Sequence, residues 1–192
     1  MKLTELEAIN QMLLSIGLHP AAAVDDLDVY SEGMIARSIL KISLMETLAN
    51  NWHFNTHRLT LVPESDGTVV PPDNTLDVYC APELSYELIV DSQGRLKDIK
   101  NGTTVFNGSV EVYVVRGYPW DEVPPNFQLL VLHKAQKQFM RRMKPKLDTR
   151  DIDFSIMQAE ATCRSWDTRQ KRYSMLDSLR SHQHVSPNWT RG

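Results

Sequence analysis

Hydrophobic residues recur every three or four positions in four stretches of this chain, which is the period of an amphipathic helix. The first stretch follows Thr4 and Glu7, which have the spacing of a capping box. It ends at Gly17, a residue that readily adopts the positive φ of a helix end. We therefore predict a short, well-capped helix at the start of the chain.

The second stretch, residues 30–51, has the widest apolar face. Asp28 or Ser31 can cap its start, and Asn50 and Asn51 follow its last apolar residue. Its apolar positions are Met34, Ile35, Ile39, Leu40, Ile42, Leu44, Met45 and Leu48. One shallow contact cannot cover an apolar face this wide. We therefore expect this helix to be the central rod against which the other helices pack.

Apolar and polar residues alternate in the middle of the chain, which is the pattern of half-buried strands. The alternating segments are residues 59–62, 76–80, 86–90 and 110–115. Clusters of Gly, Pro, Asn and Asp separate them, and Asn101-Gly102 is a strong hairpin signal. The pattern predicts an antiparallel meander inserted between two helical halves.

The third helical stretch begins at Pro125, which suits the first turn of a helix, and ends before Pro145. The fourth covers residues 151–172, and no sustained pattern follows it. We predict an α+β protein with a four-helix bundle, an inserted antiparallel β-sheet lobe and an extended C-terminal tail. The expected ranges are 1–51 and 125–172 for the bundle, 52–124 for the lobe and 173–192 for the tail. The tail can bury little by itself, so we expect it to become ordered on assembly.

Charge and cysteine content narrow the class of protein. The 192 residues carry a net charge of −3, so the chain has no overall basic footprint for wrapping nucleic acid. Cys80 and Cys163 match neither zinc-ligand spacing nor a disulfide framework, and we expect buried thiols in a reducing compartment. No window is apolar enough to span a bilayer, and the start of the chain does not have the pattern of a signal peptide. We expect assembly in the cytoplasm.

The candidate chemical motifs are weak. Asp25, Asp26 and Asp28 lack the glycine and the distal glutamate of a calcium loop, so we interpret them as solvated, helix-capping acids. His53 and His57 lie four residues apart in a predicted strand, which separates them by about 13 Å, too far for one metal ion. No phosphate-binding loop or nucleophile elbow is present. We expect no cofactor, no metal and no catalytic residue.

The densest positive charge lies in and just after the third helix, at Lys134, Lys137, Arg141, Arg142, Lys144 and Lys146. Such a run can contact phosphate or an acidic protein, although a solvated face that compensates the helix dipole is the favoured interpretation. The aromatic residues of the linkers and tail, Tyr118, Trp120, Tyr173 and Trp189, can lie at subunit contacts or pack within the chain. Our candidate partner contacts are Arg141, Arg142, Lys144, Lys146, Tyr173, Met175, Leu176 and Trp189.

A series of short motifs resembles one known family. The motifs are Ala8-Ile9-Asn10 with Leu13, Ile16-Gly17 and Pro20; Ala36-Arg37, Ile39-Leu40 and Ile42; Trp52-His53-Phe54-Asn55; Leu61-Val62-Pro63; Val114-Val115-Arg116; Glu122-Val123-Pro124; Lys134-Ala135 with Gln138-Phe139; and Tyr173 with Met175-Leu176-Asp177. Their order and spacing are similar to those of the tail tubular protein A family of T7-like, short-tailed bacteriophages. The resemblance covers nearly the whole chain, although residues 65–108 match only in their strand-and-turn character.

The resemblance implies a structural protein of the virion tail. Family members form a twelve-fold ring, an adaptor between the portal and the tail nozzle, with tail fibres docked around the junction. Double-stranded DNA passes through the ring without sequence-specific binding. A ring through which DNA slides must not grip phosphates, since each neutralised phosphate adds affinity. We therefore expect an acidic or neutral lumen, with the cluster from Arg141 to Lys146 facing a protein partner or the outside.

Two other functions remain as alternatives. The first is a tail hydrolase that degrades polysaccharide or peptidoglycan, which needs two carboxylates roughly 5–10 Å apart in a cleft. Asp121 and Glu122 are the candidates, but they are adjacent residues in a linker. The second is a DNA-binding regulator, against which the lack of a basic recognition helix argues.

Overall fold

The computed structural model describes residues 2–28, 31–80 and 86–183, with the backbone alone at residue 28 and at residues 174–183. The helices are α1 Glu5–Ser15, α2 Ser31–Leu48, α3 Pro125–Met143 and α4 Arg150–Gln183. The strands are β1 Thr56–Leu61, β2 Thr75–Cys80, β3 Leu88–Val90, β4 Leu96–Asp98 and β5 Val110–Arg116. Four helices with antiparallel sheets confirm the predicted α+β class. In the described part of the chain, no helix combines the length and hydropathy needed to cross a membrane.

Helix α1 forms for the reasons that its sequence indicates. The Thr4 hydroxyl accepts a hydrogen bond from the Glu7 amide at 3.2 Å, and the Glu7 carboxylate accepts one from the Thr4 amide at 2.8 Å. These two bonds satisfy donors that have no partner within the helix. Just after the helix, Gly17 has a φ of +81°. The predicted capping box and helix end are both confirmed.

The central helix is α3, and the prediction that α2 is the central rod is wrong. Helix α3 packs against α1, α2 and α4, whereas α2 and α4 have almost no contact with each other. Both helices therefore pack on α3 without packing directly on each other, although Leu48 of α2 and Cys163 of α4 belong to the same hydrophobic cluster around Phe127. The reason is that α2 buries a narrower face than its hydrophobic pattern suggests, with the small polar residues Ser43 and Thr47 on the buried side. Met34, Ile42 and Met45 of α2 are each about half exposed.

The three-stranded sheet has the order β1-β5-β2, with β5 antiparallel to both neighbours, and β3 and β4 form a separate two-stranded ribbon. The predicted meander is therefore wrong, because the last strand lies in the middle. Burial explains this order: Val112, Val114 and Val115 of β5 are all fully buried. A strand with so many apolar residues is most stable between two others, while the more polar β1 and β2 remain at the edges.

The turn at Asn101-Gly102 is present. Asp98 and Thr103 exchange two backbone hydrogen bonds of 2.9 and 3.2 Å, and Gly102 has a φ of +67° between them. The chain reverses over the four residues 99–102, so the loop is longer than a two-residue hairpin turn.

Helix α4 continues to Gln183, so the prediction that helical structure ends at residue 172 is wrong. The apolar pattern does stop near that point, but residues 173–186 contain no Gly or Pro that would end the helix. Without either of these helix-breaking residues, the backbone remains helical beyond the end of the apolar pattern. With 34 residues, α4 is about 51 Å long, against about 28 Å for the 19 residues of α3. Residues 184–192, the end of the predicted tail, lie outside the described part.

Candidate functional site

An aromatic cluster joins the helices to the sheet. The ring of Phe127 in α3 is fully buried, and its centroid lies 4.9 Å from that of Trp52, 4.7 Å from that of Phe54 and 5.6 Å from that of Trp166. Trp52 and Phe54 precede β1, while Trp166 belongs to α4. Edge-to-face contacts of this kind add stability beyond the buried area. The cluster therefore fixes the sheet against the bundle.

Two buried polar residues complete this junction, and the sequence pattern predicts neither role. The Asp167 carboxylate of α4 accepts a hydrogen bond from the His53 amide at 2.6 Å. The Asn55 side-chain amide donates to the carbonyl oxygens of Leu48 and Arg116, at 2.7 and 3.1 Å. Buried polar groups usually have hydrogen-bond partners in this way, but the Asn55 Oδ1 has none among the described residues. Their only sequence signal is a polar residue beside aromatic ones, which is weak.

The two candidate metal-binding histidines do not converge. His53 lies in a short 3-10 turn, whereas His57 lies in β1 and its Nε2 is 2.8 Å from the Tyr118 hydroxyl. The described residues contain no group of three or more His, Cys, Asp or Glu side chains that could hold a metal ion. Asp26 accepts a hydrogen bond from the Ala23 amide at 2.9 Å, within the acidic 3-10 turn Asp25–Asp28.

A groove of about 990 Å³ lies between the outward side of α2 and the ends of β2 and β5. Its lining includes Met34, Lys41, Met45, Leu76, Tyr118 and Trp120. Glu5 is the one carboxylate among the described lining residues, and it is ion-paired with Arg37 at 3.4 Å. Asp121 and Glu122 are exposed in the 3-10 turn Trp120–Glu122 and do not line this groove. The groove is therefore suited to apolar contact, and it lacks the carboxylate pair of a glycosidase.

The basic run divides into two groups. Lys134 is 3.0 Å from Glu160, and Lys137 is paired with Asp153, so both lysines hold α4 against α3. The Lys144 ammonium donates to the carbonyl oxygen of Ile16, next to the end of α1. The remaining cations, Arg141, Arg142 and Lys146, are exposed and have no ion pair with any described residue. Within the basic run, these three therefore remain available to a partner, as far as the described residues show.

The linker aromatics pack within the chain. Trp120 is buried, and its indole N–H donates to the carbonyl oxygen of Leu3 at 2.7 Å. Tyr173, by contrast, is 66% exposed on α4. The side chains of Met175 and Leu176, and the whole of Trp189, lie outside the described residues.

Two exposed apolar faces were missed as candidate sites. One is the outward face of α2, with Met34, Ile42 and Met45. The other is the outward face of α4, where Phe154 is 57% and Met157 is 62% exposed. A monomer rarely leaves clustered large hydrophobic residues in water, so such faces indicate contact with another protein.

Comparison with known families identifies the chain. The family model described as tail tubular protein matches residues 6–173, which include most of α1 and extend to Tyr173 in α4. The chain belongs to the tail tubular protein family. It is thus a structural component of a bacteriophage tail, and the resemblance seen in the motifs is confirmed at the level of this family. A search of the curated proteins finds no match for this tail tubular protein.

Proposed function

We propose that this tail tubular protein forms a ring-shaped adaptor that joins the portal to the tail nozzle and surrounds the DNA ejection channel. Membership of the family supports a role in the tail. The observation that carries the ring is the presence of two separate exposed apolar faces, one on α2 and one on α4. A closed ring needs head-to-tail contacts, in which one face of each subunit meets a different face of the next. Two different faces on one subunit meet this requirement.

The resemblance suggests twelve copies in the ring, with tail fibres docked around the junction of adaptor and nozzle. The assembled protein would then reside in the virion tail, and its assembly would take place in the host cytoplasm. The channel would carry double-stranded DNA without sequence-specific contacts. A net charge of −3 per subunit suits this role, since sliding requires few phosphate contacts.

The free cations are our candidates for contact with a protein partner. Arg141, Arg142 and Lys146 are grouped at one end of α3, and Lys144 beside them is already bonded to the chain. We assign the three free cations, together with Tyr173, Met175, Leu176 and Trp189, to contacts with the portal or the nozzle. Arg142→Glu should weaken binding to one of these partners and leave the mass of the ring unchanged. Lys100→Glu, an equal charge change at an exposed lysine after β4, serves as the matched control.

The decisive experiment is a mass measurement of the full chain, alone and with purified portal. We expect a closed ring in at least one of the two conditions, at a multiple of the 22.0 kDa subunit. A protein that stays monomeric in both conditions overturns the ring adaptor. If that monomer also degrades a polysaccharide or peptidoglycan substrate, the tail hydrolase becomes the supported function.

A further inference from the structure

We propose that the groove beside α2 of one subunit receives the outward ridge of α4 from the next subunit. The ridge is defined by Phe154, Met157, Ala161, Ser165 and Thr168. This inference rests on the proposed ring, and it specifies which surfaces join the copies. The occupant of the groove is thus a second copy of this chain.

The groove is shaped to take an apolar ridge. One wall is the outward face of α2, where Met34, Ser38, Lys41 and Met45 follow one another at helical spacing. The opposite wall is formed by the beginning of β2 and by residues 117–120. Methionine side chains are flexible and adapt to the shape of a partner. Met34 and Met45 are each 49% exposed in the single chain, which leaves their side chains available.

The ridge on α4 has the complementary shape and chemistry. Its five residues lie on the side of the helix directly opposite the buried Cys163, and all five are exposed. None of them is charged. The Thr168 hydroxyl donates to the carbonyl oxygen of Arg164 at 2.9 Å, within the same helix. Covering the ridge with protein therefore leaves this hydroxyl satisfied, and it removes Phe154 and Met157 from water.

The charges at the two surfaces are also complementary. Lys41 is the charged residue in the middle of the outward face of α2, and it has no ion pair within the described chain. Asp151 lies one turn before Phe154, on the flank of the ridge, and it likewise forms no ion pair with the described residues. When Phe154 enters the groove, a Lys41–Asp151 pair can form between copies. Such a pair would set the register of the contact more than its strength.

The positions of the two surfaces explain why the partner is another copy. No α4 residue is among the described residues that line the groove, and the ridge is exposed in the single chain, so a subunit does not cover its own groove with its own ridge. Repetition of the contact uses one groove and one ridge on every subunit. A closed ring then leaves neither surface exposed, whereas an open chain of subunits leaves one of each.

The test uses one disrupting substitution on each surface. Met45→Glu places a charge in the groove, and Phe154→Glu places one on the ridge. Both positions are about half exposed or more, so each variant should unfold at a temperature close to that of wild type. Under conditions in which wild type forms a ring, alone or on portal, each variant should remain at 22.0 kDa. Leu14→Glu, at a 56% exposed position on α1, is the matched control and should form the ring.

A mixture of the two variants provides the sharpest test. Each variant keeps one intact surface, so an equal mixture should form heterodimers of about 44 kDa, twice the 22.0 kDa subunit, and no ring. Lys41→Glu and Asp151→Lys should each lower the fraction of protein in rings, and the double variant should restore it.

If both disrupting variants form rings, or the mixture yields no heterodimer, the groove–ridge contact is wrong while the ring stands. If both form rings but fail to bind portal, the two surfaces serve the portal instead, and our proposal is overturned. If wild type itself never forms a ring, the proposed function fails.

Discussion

The carboxylate of Asp167 in α4 accepts a hydrogen bond of 2.6 Å from the backbone amide of His53, just before β1. Its second oxygen lies 2.8 Å from the ammonium of Lys171. Asp167 is only 6% exposed, although it is an acidic residue on a helix that is mostly solvated. The carboxylate thus links the last helix to the start of the sheet, across 114 residues of chain.

Replacing Asp167 by alanine should destabilise the protein. The His53 amide would lose its acceptor while remaining partly buried, and an unsatisfied buried donor costs about 1–3 kcal/mol. Asp167→Asn keeps an oxygen that can accept this bond, so we expect a smaller loss. Urea unfolding of the three proteins measures the difference. Equal stability of the alanine variant and wild type would show that water replaces the carboxylate at this junction.

Replacing Phe127 by alanine should have a larger effect. Its ring is fully buried and contacts three other aromatic rings, so the substitution leaves a cavity at the centre of the junction. Substitutions of this kind lower the free energy of unfolding by about 3–5 kcal/mol. The control is Phe154→Ala on the outward face of α4, which should change stability by no more than about 0.5 kcal/mol. Comparing these two phenylalanine substitutions thus distinguishes a residue that stabilises the fold from one that serves assembly.

Local features of the fold were readable from the sequence because they depend on neighbouring residues. The capping box of Thr4 and Glu7 and the helix end at Gly17 are contained within single turns. The order of the strands depends on distant residues instead. The sequence around Val110–Arg116 does not indicate that this strand lies between Thr56–Leu61 and Thr75–Cys80. That position follows from the burial of Val110, Val112, Val114 and Val115, which only the folded chain reveals.

The candidate surfaces were misjudged for a related reason. Hydrophobic periodicity shows that a face needs to be covered, but it does not show whether the cover comes from the same chain. Met34, Ile42 and Met45 were therefore assigned to the core, and the structure leaves them about half exposed. Trp120 shows the same limit, because its position in a linker is compatible with a subunit contact or with packing within the chain, and the structure buries it against Leu3. Of the basic run, the sequence could not separate Lys134 and Lys137, which pair with α4, from the free Arg141 and Arg142.

Acid should weaken the turn at the end of β4. Burial by itself would raise the pKa of Asp98, but hydrogen bonds from the Asn101 side chain and from the amides of Glu87 and Lys100 outweigh it and lower the pKa below the ordinary value. A carboxylate with a lowered pKa stabilises the fold at pH values above the ordinary pKa near 3.8, and this stabilisation is lost as the pH falls through the lower, folded value.

Asp98→Asn should therefore reduce the dependence of unfolding free energy on pH below about pH 4. Asn101→Ala, which removes one of the donors, should act in the same direction with a smaller effect. Urea unfolding between pH 2 and pH 6 provides the comparison. Parallel curves for wild type and the Asp98 variant would mean that the turn does not contribute to acid sensitivity.

The thiol of Cys163 should be unreactive in the folded protein. It is fully buried between α4 and α3, and this burial raises its pKa to about 12, with Lys134 and Glu160 acting in opposite directions nearby. Only the thiolate attacks alkylating reagents, and at pH 8 a thiol with this pKa is almost wholly protonated. Iodoacetamide should modify Cys163 only after unfolding in guanidinium, as measured by mass spectrometry of the peptides. Modification of the folded protein at the unfolded rate would show that α4 detaches from α3.

The same raised pKa predicts a loss of stability at alkaline pH. In the unfolded chain this thiol releases its proton near pH 9, whereas the folded chain keeps it until about pH 12. The folded state thus binds more protons over this window, and its stability relative to the unfolded chain falls as the pH rises from 9 towards 12. Cys163→Ala should flatten this part of the profile, although the lost sulfur contacts lower stability at every pH. An unchanged alkaline slope in the alanine variant would assign the loss of stability to other groups.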